Sequence, residues 1–278
     1  MLEKEADSLQ VLILGTSQTL HSLNPALFDR PAINLAASAQ PLYYDSKIVL
    51  SYLTHLKKLK LIILPLDYFS LFFDVETLSQ TRSLEYSRFW NINHPSIGRM
   101  DFRKYSLLAL FKPATSKEIF LQMINEKKLS IRFQTYGMLD NGFWAATVPA
   151  DTTGFEKTAF LKVKKWGDLL MFKNNFTQNA QTVETLIQTL QKRNIKVLLI
   201  STPIVKNIYE KYDSSFIRLR LNFVQHISAK YSNTTYHDFS KDPRFNIGDF
   251  FDPNHLDAAG AVKFSKIIND EYVNPMIH

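Results

Sequence analysis

Short runs of apolar residues alternate along the chain with longer segments in which apolar residues recur at helical spacing. The runs predict strands, because a strand of a parallel sheet is buried on both faces and is therefore apolar throughout. Strands are predicted at 11–14, 32–35, 60–66, 196–201 and 235–238. Helices are predicted at 17–27, 44–56, 175–193, 214–231 and 257–272. This alternation predicts a three-layer α/β/α fold, in which a central parallel sheet lies between two layers of helices.

The segment from about residue 70 to residue 174 departs from this alternation. It is rich in aromatic residues and contains Pro95 and Pro113. Helical pieces are predicted at 105–111 and 117–125. We interpret the segment as an irregular, mainly helical insertion within a single domain that spans residues 1–278. Its aromatic side chains either pack as a subdomain or form a wall of a substrate site.

A candidate nucleophile follows the first predicted strand. Gly15, Thr16 and Ser17 come directly after the apolar run, at the carboxyl edge of the sheet where ligands of such folds bind. Backbone N–H groups at the start of the next helix favour negative charge, which suits an attacking hydroxyl and its oxyanion. A lone Gly-x-Ser is more typical of a helix cap, so this motif by itself favours that alternative.

A second candidate group lies near the other end of the chain. A serine nucleophile needs a base, and the base needs a carboxylate to orient it. Asp252 and His255 are three residues apart across a short turn, so the carboxylate can reach one ring nitrogen while the other faces Ser17. The alternative is a proline-containing turn with a surface histidine. His21 stands alone in the sequence and is interpreted as a surface or packed residue.

Taken together, Gly15-Thr16-Ser17 and Asp252-x-x-His255 resemble the motifs of the SGNH (GDSL-like) hydrolase superfamily. The resemblance covers roughly residues 9–70 and 175–272. It is strongest to the divergent bacterial branch that includes polysaccharide O-acetyltransferases and acyltransferase-like proteins. It implies the flavodoxin-like SGNH version of the α/β/α fold. It also implies a triad in which Ser17 attacks the ester, His255 acts as general base and then acid, and Asp252 orients His255.

The residues that would form the oxyanion hole depart from the family pattern. Ala39 stands where the family has a glycine; its N–H can still donate, but alanine adopts fewer backbone angles. Asp67 falls near the position of the family's asparagine, and an ionised carboxylate there would repel an oxyanion. Either Asp67 is protonated, or Gln40 or Tyr68 donates in its place, or the hole is weak.

Composition limits the other classes of function. The net charge is +7, but the positive residues are scattered, which favours a solvated basic surface, and no nucleic-acid partner is predicted. The absence of cysteine excludes disulfides, and no metal-ligand spacing is present, so neither a metal nor a cofactor is predicted.

A nucleotide-binding fold would need a glycine-rich first turn, and this turn has one glycine. No apolar run reaches the ~18 residues of a membrane helix, so no integral membrane segment is predicted. Localisation stays open, with an extracytoplasmic location slightly favoured.

The sequence therefore predicts a serine esterase or O-acyltransferase that works through a seryl intermediate. Its expected substrate is an acyl ester, with acetyl favoured, of a small molecule, a carbohydrate or a cell-envelope glycan. Hydrolysis and transfer are not distinguished, because one triad serves both. The alternative is a non-catalytic ligand- or glycan-binding module on the same fold, which the changes at Ala39 and Asp67 favour.

Overall fold

A parallel sheet of five strands forms the centre of the protein. The computed structural model describes residues 6–73, 80–95, 141–145, 154–170 and 175–277. The strands are β1 (Val11–Ile13), β2 (Ala32–Asn34), β3 (Leu61–Pro65), β4 (Lys196–Ser201) and β5 (Thr234–Asp238). Their order, β2-β1-β3-β4-β5, is that of flavodoxin-like sheets. All neighbouring pairs are parallel, so the carboxyl ends of all five strands lie at one edge.

Helices connect the strands and follow the last of them. They are α1 (Ser17–Ser22), α2 (Leu42–Tyr52), α3 (Gln80–Trp90), α4 (Phe155–Leu170), α5 (Asn175–Gln191), α6 (Lys206–Tyr209), α7 (Ser214–Lys230), α8 (Ala258–Ile268) and α9 (Asn274–Met276). Single turns of 3-10 helix lie at Pro25–Leu27 and Ile247–Asp249, and a π-helical turn at Asn269–Val273 joins α8 to α9. A small antiparallel hairpin, β6 (Phe250–Asp252) and β7 (His255–Leu256), precedes α8.

Both faces of the sheet are covered, which is why the central strands β1 and β3 are apolar throughout, whereas the edge strand β5 is polar and partly exposed. Alternate residues of a strand point to opposite faces. One set of side chains in β1, β3 and β4 packs in a single core with Phe264 and Ile268 of α8. The intervening residues point to the other face, where α2 packs against α5. The three-layer α/β/α prediction is confirmed.

Three predicted helix ends are wrong, and one of them is that of α2, which ends at Tyr52 and not at residue 56. The first helix ends at Ser22 and not near residue 27. Pro25 disfavours helical geometry in the residue before it, and the Asn24 side chain caps a separate 3-10 turn by accepting the Ala26 N–H. The last helix keeps α-helical geometry only to Ile268. The hairpin β6–β7 was predicted only as a turn.

The chain forms two compact units, one made of Met1–Phe73 with Gly137–His278 and the other of Asp74–Tyr136. The second unit contains α3, after which Asn91 adopts a left-handed φ of 53°. Neither α3 nor α4 is among the predicted helices. The predicted helical pieces at 105–111 and 117–125 lie outside the described residues, and the single domain with an insertion at about 70–174 stays a prediction.

No helix within the described ranges is both long enough and apolar enough to cross a lipid bilayer.

Candidate active site

The loop between β1 and α1 places Ser17 at the carboxyl edge of the sheet. Thr16 caps α1 through its side chain, which leaves Ser17 as the first helical residue. Gly15 adopts a φ of +115°, and a Cβ atom there would overlap the ring of Pro65 at the end of β3. The sharp turn that presents Ser17 therefore needs glycine at position 15.

The hairpin β6–β7 brings the second half of the site to the same edge. Asp252 and His255 are paired residues of its two strands. The carbonyl of Pro253 in the intervening turn accepts the backbone N–H of Val205 in the loop after β4, at 3.0 Å. The hairpin is thereby fixed to the sheet edge, and it also packs against α1.

A continuous chain of hydrogen bonds joins the three predicted triad residues. The Oγ atom of Ser17 lies 2.9 Å from Nε2 of His255. Nδ1 of His255 lies 2.9 Å from Oδ2 of Asp252. The structure thus brings together residues that are 238 positions apart in sequence.

The carboxylate of Asp252 is held in place by the backbone of its own turn. Its Oδ1 accepts the N–H groups of Asn254 at 3.0 Å and of His255 at 3.1 Å, which leaves Oδ2 for the imidazole. Because a carboxylate only accepts, Nδ1 of His255 carries the proton, and Nε2 is free to accept from Ser17. The side chains of His255 and Asp252 are 16% and 23% exposed, so the site is accessible from one side.

Among the comparisons with known proteins, only the comparison with solved structures finds a similarity. No protein-family model matches the chain, and no curated protein matches it. A solved structure from Streptococcus pneumonia, provisionally described as a platelet activating factor, is similar with a TM-score of 0.45 and 11% identity, over 97% of this chain and 88% of that one.

Two backbone N–H groups are candidates for binding an oxyanion. The loop after β2 lies beside the nucleophile turn, because the N–H of Ala37 donates to the carbonyl of Gly15 at 3.0 Å. Among the described residues, no acceptor pairs with the N–H of Ser17 or of Ala39. Ala39 adopts a left-handed φ of 54°, a conformation that favours glycine. Ala39 therefore adopts a backbone conformation in which alanine is strained and glycine is not.

Gln40 holds this loop in place but is not positioned as an oxyanion donor. Its Nε2 donates to Oδ1 of Asp45 at 2.5 Å and to the carbonyl of Leu35 at 3.2 Å, which uses both of its N–H bonds. The same Asp45 oxygen accepts the N–H of Gly15 at 3.0 Å. Burial raises the pKa of Asp45 to about 7. Asp45 thus links the nucleophile turn to the loop that carries Ala39, a role that was not predicted.

Asp67 is buried and accepts hydrogen bonds through one of its oxygens only. Oδ1 accepts the N–H and the hydroxyl of Thr202 at 2.8 and 2.9 Å. The Thr202 hydroxyl in turn accepts the side-chain amide of Gln18 at 3.1 Å, so Asp67 is joined to the residue after Ser17. Oδ2 of Asp67 and Oε1 of Gln18 have no hydrogen-bond partner among the described residues. Burial raises the pKa of Asp67, and the Thr202 hydrogen bonds oppose that shift.

Asp67 and Gln18 line the same small pocket. Its polar lining includes Arg220, which donates to the Leu66 carbonyl at 3.0 Å and pairs with Asp238 at 3.3 Å. Tyr68 also lines the pocket, and its hydroxyl accepts the N–H of Asp213 at 2.9 Å while its ring stacks on Tyr212. The predicted oxyanion role of Tyr68 stays a prediction.

A second histidine lies beside the triad and was missed. The ring centroid of His21 is 5.3 Å from that of His255, with the rings edge to face, and 5.3 Å from the ring of Trp144. Nδ1 of His21 lies 2.8 Å from the backbone carbonyl of Trp144. His21 is thus a packed residue, one of the two predicted alternatives, but its position beside His255 was not predicted. The signal was its spacing, since residues four apart on a helix share a face and Ser17 is four positions earlier.

Proposed function

We propose that this protein is a serine esterase or O-acyltransferase of the SGNH type, acting on an acyl ester of a carbohydrate. The observation that carries the proposal is the unbroken relay from the Ser17 hydroxyl through both nitrogens of His255 to Asp252, with 2.9 Å at each step. Such a relay is recognised by geometry and roles, and it recurs on unrelated folds. Acetyl is the favoured acyl group.

In the first half of the reaction, the Ser17 oxygen forms a bond to the acyl carbon while its proton moves to Nε2 of His255. The carbonyl oxygen becomes an oxyanion, for which the N–H groups of Ser17 and Ala39 are the donors. The bond to the leaving alcohol then breaks, and the proton on Nε2 passes to that alcohol. Asp252 orients the imidazole and stabilises its positive charge throughout.

In the second half, a new hydroxyl attacks the seryl ester and His255 removes its proton. Water as the attacking group gives hydrolysis, and a sugar hydroxyl gives acyl transfer. The triad residues have the same roles in both cases, so the two outcomes depend on what binds beside His255. The scattered positive charge of the chain suits an acidic envelope glycan.

Labelling with a fluorophosphonate probe tests the nucleophile directly. The wild-type protein is expected to form a single adduct, measured as an increase in intact mass, and Ser17→Ala is expected to form none. Ser232→Ala is a matched control, because Ser232 is exposed, accepts a hydrogen bond from Gln191, and precedes β5 at the opposite edge of the sheet from Ser17. Persistent labelling of Ser17→Ala would refute the assignment.

One observation favours the alternative of a non-catalytic binding module. Asp67 presents a carboxyl, and not an amide, near the position of the family's third oxyanion donor, and Gln40 does not compensate because its amide is engaged. Loss of one such donor typically costs about 10²–10³ in turnover. Absence of label in the wild-type protein, with the fold intact by circular dichroism, would support the binding module and refute the enzyme.

A further inference from the structure

Two aromatic side chains lie close to the proposed nucleophile. Ser17 and His21 lie on the same face of α1, one turn apart. The centroid of the His21 ring is 5.3 Å from that of the His255 ring and also 5.3 Å from that of the Trp144 ring. A substrate bonded to Ser17 and extending along this face of α1 therefore comes within reach of His21 and its neighbour Trp144.

The segment that carries Trp144 is anchored to the same elements as the triad. The N–H of Trp144 donates to the Leu20 carbonyl at 3.2 Å, and the Asn141 carbonyl accepts the N–H of Asn34 at 2.9 Å. Gly142 has a φ of +87°, and a Cβ atom there would overlap the carbonyl of Asn34. Phe143 is buried beneath the segment, whereas Trp144 is half-buried. The backbone thus holds the indole at a fixed position beside the site.

The hydrogen bond to Trp144 also fixes which nitrogen of His21 carries a proton. A backbone carbonyl only accepts, so Nδ1 must donate, and in the neutral imidazole Nε2 is then an acceptor. Burial lowers the pKa of His21, and the neighbouring His255 lowers it further, although the bond to the Trp144 carbonyl and the charge of Asp252 oppose the shift. The neutral ring is therefore favoured at neutral pH, with an acceptor nitrogen next to an aromatic surface.

We propose that His21 and Trp144 form the subsite for the sugar ring of the substrate, with the ring lying on the indole and one of its free hydroxyls donating to Nε2 of His21. The proposal rests on the proposed function, since it places the sugar beside the ester that Ser17 attacks. An aromatic surface with a few polar groups that fix orientation is the usual composition of a specific small-molecule site. An alkyl chain would use the indole but would leave the imidazole acceptor without a donor.

The test compares two acetyl esters that differ only in the alcohol. One is a monoacetylated methyl pyranoside, which has a ring and free hydroxyls, and the other is p-nitrophenyl acetate. The measured quantity is the ratio of kcat/KM for the sugar ester to kcat/KM for the aryl ester. Trp144→Ala is expected to lower this ratio at least about ten-fold, mainly through KM for the sugar ester. Trp144→Phe keeps an aromatic surface and should recover part of the loss.

His21→Phe separates the hydrogen bond from the aromatic contact. It keeps a ring beside Trp144 but has no acceptor, so the ratio should again fall by about ten-fold. Phe160→Ala is the matched control, because Phe160 is an exposed aromatic residue on α4, and the ratio should not change. Equal losses on both esters in Trp144→Ala, with an unchanged melting temperature, would overturn the subsite.

A binding measurement keeps this proposal separate from the catalytic one. In the Ser17→Ala background, saturation-transfer NMR should detect the monoacetylated pyranoside, and the additional change Trp144→Ala should abolish the signal. Binding that depends on Trp144, together with no turnover of either ester by the wild type, would support the subsite and refute the enzyme. Turnover of both esters with binding insensitive to Trp144 would support the enzyme and overturn the subsite. Absence of both would overturn both.

Discussion

Replacing Asp45 by asparagine is expected to remove a loss of stability that the wild-type protein suffers as the pH rises. Asp45 lies in α2 and is 1% exposed. Its Oδ1 accepts hydrogen bonds from Gly15 and Gln40, at 3.0 and 2.5 Å. Burial raises the pKa of Asp45 to about 7, and these two hydrogen bonds only partly oppose the shift. The folded protein therefore keeps this carboxyl neutral in a range of pH where the unfolded chain carries the charge.

The direction and size of the effect follow from proton binding. The ordinary pKa of the group is 3.8, so between that pH and about 7 the folded state binds more protons than the unfolded state. The free energy of unfolding consequently falls as the pH rises through this window, and this contribution is level above it. A difference of about three pKa units, at about 1.4 kcal/mol each, corresponds to about 4 kcal/mol. Asparagine is neutral at every pH, and its Oδ1 can accept the same two hydrogen bonds.

Urea unfolding of the wild type and Asp45→Asn, at several values between about pH 4.5 and pH 8, measures this contribution. The variant should gain stability relative to the wild type across the window, by about 3 kcal/mol between pH 4.5 and pH 8, because the unfolded carboxyl is already largely ionised at pH 4.5. The contributions of other titrating groups, including Asp67, are the same in both proteins and cancel in the difference between their free energies of unfolding. Parallel curves of unfolding free energy against pH would refute the reasoning.

Asp45→Leu separates the buried charge from the hydrogen bonds. Leucine is neutral but cannot accept, so it leaves the donors of Gly15 and Gln40 unpaired. Each unpaired buried donor costs about 1–3 kcal/mol. This variant should therefore be less stable than Asp45→Asn at every pH in the series, and equal stability of the two would show that the hydrogen bonds contribute nothing.

Three further outcomes are expected. Asp67→Asn keeps an acceptor for Thr202 and places an amide donor at Oδ2, which has no hydrogen-bond partner among the described residues. The kcat for p-nitrophenyl acetate should therefore rise by about ten-fold. A fall in kcat would show that the carboxyl has a role of its own. Asp252→Asn should lower kcat by about 10⁴ with little change in melting temperature, because the amide favours the wrong tautomer of the imidazole. Ala39→Gly should relieve the left-handed strain and stabilise the protein by about 0.5–1 kcal/mol in urea unfolding, whereas Ala37→Gly, at a position without a positive φ, should destabilise it.

The layered fold was predictable because burial on both faces makes each strand of a parallel sheet apolar throughout. That signal is local, and it located the apolar strands of the sheet, whereas the edge strand β5 is more polar. The early end of α1 has a local cause in Pro25 and Asn24, but the error in the last helix arose where a local pattern competed with a contact distant in sequence. Asn269, for example, donates from the end of α8 to Asp29 at 2.9 Å, and the helix changes to π geometry at that residue. No helical periodicity reports such a contact.

The residues of the site likewise include some that could be predicted from the sequence and one that could not. Ser17, Asp252 and His255 could be brought together from sequence because a parallel sheet gathers the carboxyl ends of its strands at one edge, so two motifs at opposite ends of the chain were expected to meet. The role of Asp45 could not be predicted from the sequence, in which it looks like any polar residue of a helix. Only the structure shows that Gly15 and Gln40 both donate to one of its oxygens. These two hydrogen bonds connect the turn at Gly15 with the loop that contains Ala39. The loop in which Ala39 has a left-handed backbone is connected through Asp45 to the turn that presents Ser17. The two backbone N–H groups proposed as oxyanion donors are therefore held together by an acid whose own charge depends on pH near neutrality.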